Sequence, residues 1–366
     1  MIDVCKTGIV HRSSESKAPR LHTWHPTVVV LASGELVTAF DIAPHAESLD
    51  YLTCVTRSSD EGQTWSPPEP LFHDPVAGRV TSFARIARVG PHELIATGAR
   101  AYRRPDTDSL VNRDTLGFVP VELILLRSND DGRSWTSPEV VTPPLEGPSF
   151  EICHAVIVLR DGRWLWPTAT WRGWDGYAPN GMKAIALVST DNGKTWPEYI
   201  DVLDQYERGV FSWEQSIVQL RDGRLLQVAW AYIESTGRHE PTPYTISADG
   251  RTFSAPRPTG LMGQTTKLHV LADGTILALY RRDDRPGLWA NRSRIHGDDW
   301  ENLEEQLVWD GTPSGMDGQA RGADELVDLQ MGFPQMVALP DGDVFAVMWC
   351  QEDGVRNIRW FRLRFC

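Results

Sequence analysis

Ser58-Ser59-Asp60-Glu61-Gly62-Gln63-Thr64-Trp65 follows the pattern S-x-D-x-G-x-[ST]-W. Each position has a turn-forming task. The aspartate and hydroxyl side chains bond nearby backbone N–H groups, the glycine takes a backbone conformation that other residues avoid, and the tryptophan packs under the loop. The pattern recurs intact from Ser128 to Trp135 and from Ser189 to Trp196. Ser247-Ala248-Asp249-Gly250-Arg251-Thr252-Phe253 is one residue short. The stretch from Ser293 to Trp300 keeps Ser293, Gly297 and Trp300 but carries Ile295 in place of the aspartate. One carboxylate with a few hydroxyls is a poor cage for a hard cation, so the motif reads as a structural turn and not as a calcium loop.

Outward from these turns lies a second repeat: a short apolar run, a glycine-containing turn, and another apolar run. Six copies begin at His25, Phe83, Cys153, Glu214, Thr265 and Phe333. Four of them carry Asp-Gly (Asp161-Gly162, Asp222-Gly223, Asp273-Gly274 and Asp341-Gly342), which suits a two-residue hairpin turn. The runs are β-branched and apolar on both faces, as strands packed between neighbouring sheets should be. Repetition at this spacing predicts an all-β chain, a six-bladed β-propeller of four-stranded antiparallel blades forming a single domain over residues 1–366. The last copy supplies three strands, Phe333–Leu339, Val344–Cys350 and Asn357–Phe365. The segment Asp3–His11 is expected to add the fourth, tying the two ends together and hiding a sheet edge.

Composition narrows the function classes. The net charge is -13 and no Lys/Arg-rich run occurs, which argues against nucleic acid or an anionic membrane as partner. No apolar run approaches the length of a membrane span. Five scattered cysteines without a C-x-x-C pair argue against a zinc site or a disulfide framework, and no metal or other cofactor is expected. The sequence MIDVCKTGIVHR has no apolar core of a signal peptide, so a cytoplasmic location is expected. Oligomeric state is not legible.

The Asp-box motifs and strand-pair repeats resemble those of the sialidase (neuraminidase) superfamily, over nearly the whole chain. That resemblance implies a ligand site where first strands begin and second strands end. It also implies three arginines that clamp a carboxylate, a tyrosine nucleophile activated by a glutamate, and an aspartate acid/base. Trp213-Glu214-Gln215-Ser216 matches the glutamate's context, and Arg285 fits the spacing of the third arginine. The other positions depart from the pattern. Trp24 stands two residues before Pro26 where the first arginine belongs, Phe83-Ala84-Arg85 where the aspartate belongs, Trp230 where the second arginine belongs, and Phe333 where the tyrosine belongs. Phenylalanine cannot be a nucleophile, so ordinary sialidase chemistry is not expected.

The residues at the predicted mouth are polar and aromatic where the rest of each strand is apolar, the mixture that sugar sites use. Glu214 is the leading general base or nucleophile, with His25, Glu151 and Asp41 as candidate partners. Arg285, Arg172, Arg100 and Arg281 are candidate anion clamps. His154, Lys267 and Gln335 are candidate polar contacts, and Trp24, Trp171 and Trp213 candidate stacking platforms. The long segments Tyr102–Pro120 and Gly311–Gln330 are expected at the mouth as lids or binding loops. The expected partner is a carbohydrate. The leading activity is hydrolysis of a glycosidic bond of an acidic or deoxy sugar; the alternatives are a polysaccharide lyase and a non-catalytic glycan-binding propeller. A protein-interaction scaffold is disfavoured by the charged mouth.

Overall fold

The computed structural model describes residues 1–13, 21–45, 47–152, 154–282, 284–312 and 329–365. Among the described residues the elements are β-strands, with a short 3-10 turn at Tyr206–Arg208. Its strands fall into six successive antiparallel groups. The first comprises His22–Val30, Leu36–Ala43, Leu52–Ser58 and Glu69–Pro70; the second Val80–Arg88, Leu94–Tyr102, Val121–Ser128 and Glu139–Val141. One parallel bridge, Leu52 to Ser82, links these two groups. In the third, the inner strand is broken into Ser149–Glu151 and Ile157–Val158, followed by Trp164–Trp171, Ala184–Ser189 and Glu198–Leu203. The fourth runs Val210–Gln219, Leu225–Ile233, Pro243–Ser247 and Arg257–Pro258; the fifth Gly263–Val270, Ile276–Arg282, Leu288–His296 and Asp299–Trp309. The sixth joins Met331–Ala338, Val344–Glu352 and Val355–Phe365 to the N-terminal strand Ile2–Arg12. That strand pairs antiparallel with Val355–Phe365, from Ile2 opposite Phe365 to Arg12 opposite Asn357.

The apolar side chains meet between groups. Leu31, Val37 and Ala39 of the first group pack on Ile86, Leu94 and Ile124 of the second. Leu277, Leu279 and Leu288 of the fifth pack on Val344, Ala346 and Phe361 of the sixth. Phe345, Trp349 and Trp360 of the sixth return to Val28, Leu36 and Phe40 of the first. Strands sandwiched in this way are buried on both faces, as in Trp164–Trp171, where every residue is buried.

The Asp boxes are turns, as their chemistry implies. Asp60 accepts hydrogen bonds from Ser58 Oγ (2.8 Å), Thr64 N (2.9 Å) and Thr64 Oγ1 (2.6 Å), and Trp65 Nε1 donates back to the Gly62 carbonyl at 3.0 Å. Asp130 and Asp191 repeat the arrangement. Where Ile295 replaces the aspartate, the strands instead run on into a tight hairpin with His296 opposite Asp299. The Asp-Gly hairpins differ from the expected two-residue turn. Gly162 N donates to Leu159 O at 3.0 Å, and only the glycine has positive φ (88°). This is a tight turn closed by a glycine bulge. The aspartate is favoured for another reason: Asp161 Oδ1 accepts from Arg163 N at 3.0 Å, and Asp222 and Asp273 do the same two residues on.

Candidate active site

Four of the strands that open the repeats share one irregularity. His25, Glu214, Thr265 and Phe333 occupy the same repeat position, and all four have left-handed φ between 45° and 53°. At each of them strand pairing slips: between Trp24 and Thr27, Trp213 and Ser216, Gln264 and Lys267, Gly332 and Gln335. A bulge of this kind re-aims a side chain out of the sheet. Non-glycine residues in this region are strained, and such strain collects at functional sites. Two of the four, His25 and Glu214, line a cavity of about 180 Å³.

One polar cluster of the cavity is fully resolved. Asp41, 0% exposed, receives Arg85 Nη1 at 2.8 Å, His25 Nδ1 at 3.3 Å and Thr53 Oγ1 at 2.7 Å. Burial works against its charge, but Arg85, His25 and Thr53 prevail and hold the carboxyl below its usual range. Burial pushes the His25 imidazole down, and Arg85 and Lys267 add to that against the pull of Asp41. The result is a neutral histidine oriented by an ionised aspartate, the arrangement of a general base.

Glu47, on the same cavity wall, behaves in the opposite way. Burial raises its pKa to about 7. Its backbone carbonyl accepts Leu110 N at 2.7 Å, which fixes the loop that carries it. Two carboxyls of one cavity, one held ionised and one raised to titrate near neutral pH, are the usual mark of divided acid/base roles. Glu151 and Glu214 also line the cavity. Around these groups stand Trp171, Trp213, Trp230, Tyr232 and Phe118. Trp213 lies over Trp230 with ring centroids 4.6 Å apart, and Trp171 meets Trp213 edge-on at 5.6 Å.

Of the predicted site residues, the cavity brings together His25, Asp41, Glu151, Glu214, Trp171 and Trp213. Its lining does not include the four proposed arginines, although Arg281 and Arg172 lie over the rings of the lining residues Trp230 and Phe211. Arg100 Nε pairs with Asp74 at 2.7 Å. Arg172 bonds Glu234 (2.8 Å) and the Thr115 carbonyl (3.0 Å). Arg281 bonds Gln264 and the Met331 carbonyl. Arg285 is half exposed, over the Trp289 ring at 4.3 Å and paired with Glu305. The arginine at the cavity is Arg85. Trp24 is a core residue 2% exposed, packed on Trp349 at 4.6 Å. Lys267 and His154 are buried in mutual contact, Nζ lying 3.0 Å from Nδ1, with Lys267 over the Phe333 ring. Gln335 is also outside the cavity lining.

Sequence reasoning missed Glu47 and Tyr51 as site residues, and met Arg85 at the mouth, where the aspartate belongs, without giving it a role. Glu47 and Tyr51 sit in an irregular connection with no periodicity to flag them. Arg85 was legible as a charged residue inside the apolar run Phe83-Ala84-Arg85-Ile86-Ala87. The segment 103–120 does reach the cavity, through Leu110, Val111, Leu116 and Phe118. Most of the second long segment, residues 313–328, lies outside the described residues. No group of three or more potential ligands places a metal among the described residues, and no helix there is long and apolar enough to cross a membrane.

Comparison with known proteins agrees with this architecture. The family described as the BNR repeat-like domain matches residues 111–346. No curated protein matches the sequence. Among solved structures, a protein of unknown function from Dyadobacter fermentans DSM 18053 superposes with a TM-score of 0.76 at 21% identity, covering 100% of this chain and 99% of that one. The NanB sialidase from Streptococcus pneumoniae gives 0.67 at 13% identity, covering 98% of this chain and 70% of that one. The intramolecular trans-sialidase from Ruminococcus gnavus gives 0.62 at 15% identity, covering 93% and 94%. At these identities the likeness shows a shared fold, consistent with a β-propeller. Together with the family match over most of its length, it makes this chain a member of the sialidase-like BNR-repeat superfamily.

Proposed function

We propose that this protein is a glycan-active enzyme, a glycoside hydrolase working by carboxylate acid/base catalysis in the cavity just described. In this reading the six strand groups are the blades of one propeller domain, closed by the strand Ile2–Arg12. Groups one and four then face each other across the mouth. Glu47 from the first, titrating near neutral pH, is the general acid toward the leaving oxygen. Glu214, carried on the bulge of the fourth, is the base or nucleophile. His25, oriented by Asp41, holds or moves the proton of an incoming water or hydroxyl. Trp171, Trp213 and Trp230 provide flat faces for a sugar ring.

The observation that carries this reading is the coexistence, in one aromatic-walled cavity, of an ionised Asp41 and a Glu47 whose pKa is about 7. Phe333 stands edge-on to His25 at 4.9 Å and offers no hydroxyl, so a sialidase-type tyrosine nucleophile at that position has no part in the scheme. The test is the pH–rate profile on the substrate identified from a panel of aryl glycosides. The wild type should lose activity as pH rises through about 7, the value at Glu47, and Glu47→Gln should lose activity by a factor of about 10² to 10⁴. A Glu47→Gln variant with unchanged rate and profile would remove Glu47 from the mechanism. Saturable sugar binding with no turnover would favour a glycan-binding protein.

A further inference from the structure

The cavity lining combines acidic groups with an apolar surface. Among the described residues, Arg85 is its one lysine or arginine, and it is 1% exposed. Its Nη1 is already committed to Asp41 at 2.8 Å and to the Ala84 carbonyl at 3.0 Å. Against it stand the carboxyls of Asp41, Glu47, Glu151 and Glu214. An anionic sugar entering here would give up water and find the one lining cation buried and already paired with Asp41.

The apolar part of the lining is supplied largely by the inserted segment, which packs beside Glu47. Leu110, Val111, Leu116 and Phe118 face the cavity. The wall is held by the neighbouring strand group: Trp171 Nε1 donates to the Leu116 carbonyl at 2.7 Å, Phe118 N to the Arg172 carbonyl at 3.0 Å, and Phe118 stacks on Trp171 at 5.3 Å. Gly117 passes so close to Gly173 that an added Cβ would fall 1.8 Å from its carbonyl oxygen. Leu116 itself is kept at a φ of 57°, a conformation costly for a leucine. Its side chain is therefore presented to the cavity at a cost in backbone strain, which a purely connecting loop would not need.

We propose that the cavity selects an uncharged sugar bearing a small apolar group, seated against Leu116 and Phe118, and rejects uronic and sialic acids. The apolar group is a methyl, either the C-methyl of a 6-deoxy sugar or the methyl of an acetyl substituent. This rests on the glycan-active reading above and narrows it.

The test is a binding titration of methyl glycosides by ligand-observed NMR. L-fucoside and L-rhamnoside are set beside their hydroxylated parents L-galactoside and L-mannoside. An N-acetylhexosaminide, a glucuronide and a sialoside complete the set. The methyl-bearing neutral sugar should bind about 10- to 100-fold more tightly than its parent, and the two anionic sugars should not saturate. Which neutral sugar binds assigns the methyl to a deoxy or an acetyl group. Leu116→Gly relieves the backbone strain while deleting the wall, so it should stay folded and lose the preference for the methyl group by about tenfold or more. Saturable binding of the sialoside or glucuronide in preference to the neutral sugars would overturn this proposal but leave the glycan-active reading standing. An unchanged preference in Leu116→Gly would overturn it as well. Binding of none of these sugars would overturn both.

Discussion

Replacing Arg85 by methionine isolates the polar cluster at the base of the site. Arg85 is 1% exposed and Asp41 0%, so neither charge has solvent to fall back on. Two charges about 4 Å apart attract by about 4 kcal/mol at an effective dielectric of about 20. Desolvation offsets much of that gain in the intact pair, but removal of one partner strands the other, at a cost of about 3–5 kcal/mol. Arg85→Met should therefore lower unfolding free energy by that amount in urea titrations at neutral pH. The double variant Arg85→Met/Asp41→Asn removes both charges and should recover at least about 2 kcal/mol of the loss. His25 gives an independent readout. Arg85 opposes its protonation and Asp41 favours it, so its imidazole pKa should rise in Arg85→Met and fall again in the double variant. A loss below about 1 kcal/mol, typical of a surface pair, with no recovery in the double variant, would refute the view of Asp41 as a buried carboxylate held ionised by Arg85.

Three further outcomes follow from the same geometry. Glu47 binds its proton more tightly in the folded than in the unfolded chain, so stability should fall as pH rises from the ordinary glutamate range to about 7 and level off above it; Glu47→Gln should remove that slope in pH-dependent urea midpoints. Asp60, Asp130 and Asp191 are held at about 2 by hydrogen bonds from Thr64, Ser134 and Thr195, so their contribution is complete above the usual aspartate range and disappears as pH falls toward 2. Acid unfolding should accordingly shift to higher pH when all three are changed to alanine. Gly117→Ala must push the inserted segment off Gly173 and should cost about 1–3 kcal/mol in the same titration, with weakened sugar binding.

The repeat architecture was legible because each repeat carries its own turn chemistry. Ser58, Asp60 and Thr64 bond one another within a few residues, so sequence spacing alone specifies the loop. His25 and Glu214 were legible as polar residues opening apolar runs at equivalent repeat positions, though their left-handed bulges were not. The expected arginines lie outside the cavity lining for a physical reason. A guanidinium goes to whichever carboxylate or carbonyl the fold brings within reach, and Asp74, Glu234 and Glu305 are far from Arg100, Arg172 and Arg285 in sequence. Glu47 owes its raised pKa to burial under a segment about sixty residues later in the chain, where Leu110 bonds its carbonyl, and no local pattern announces that. The Asp-Gly hairpins were recognised as turns, but the aspartate's service as an acceptor for the amide two residues on was taken for a dihedral preference.

The proposed activity stands or falls with Glu214 acting on a glycosidic bond in this cavity. Its most direct test is fluorophore release from a panel of umbelliferyl glycosides, sialoside included, by wild type and by Glu214→Gln with its folding verified. Wild type should turn over a neutral glycoside, Glu214→Gln should lose a factor of about 10² to 10⁴, and the sialoside should not be turned over. Turnover that survives unchanged in Glu214→Gln, or a panel in which only the sialoside is cleaved, would contradict that proposal.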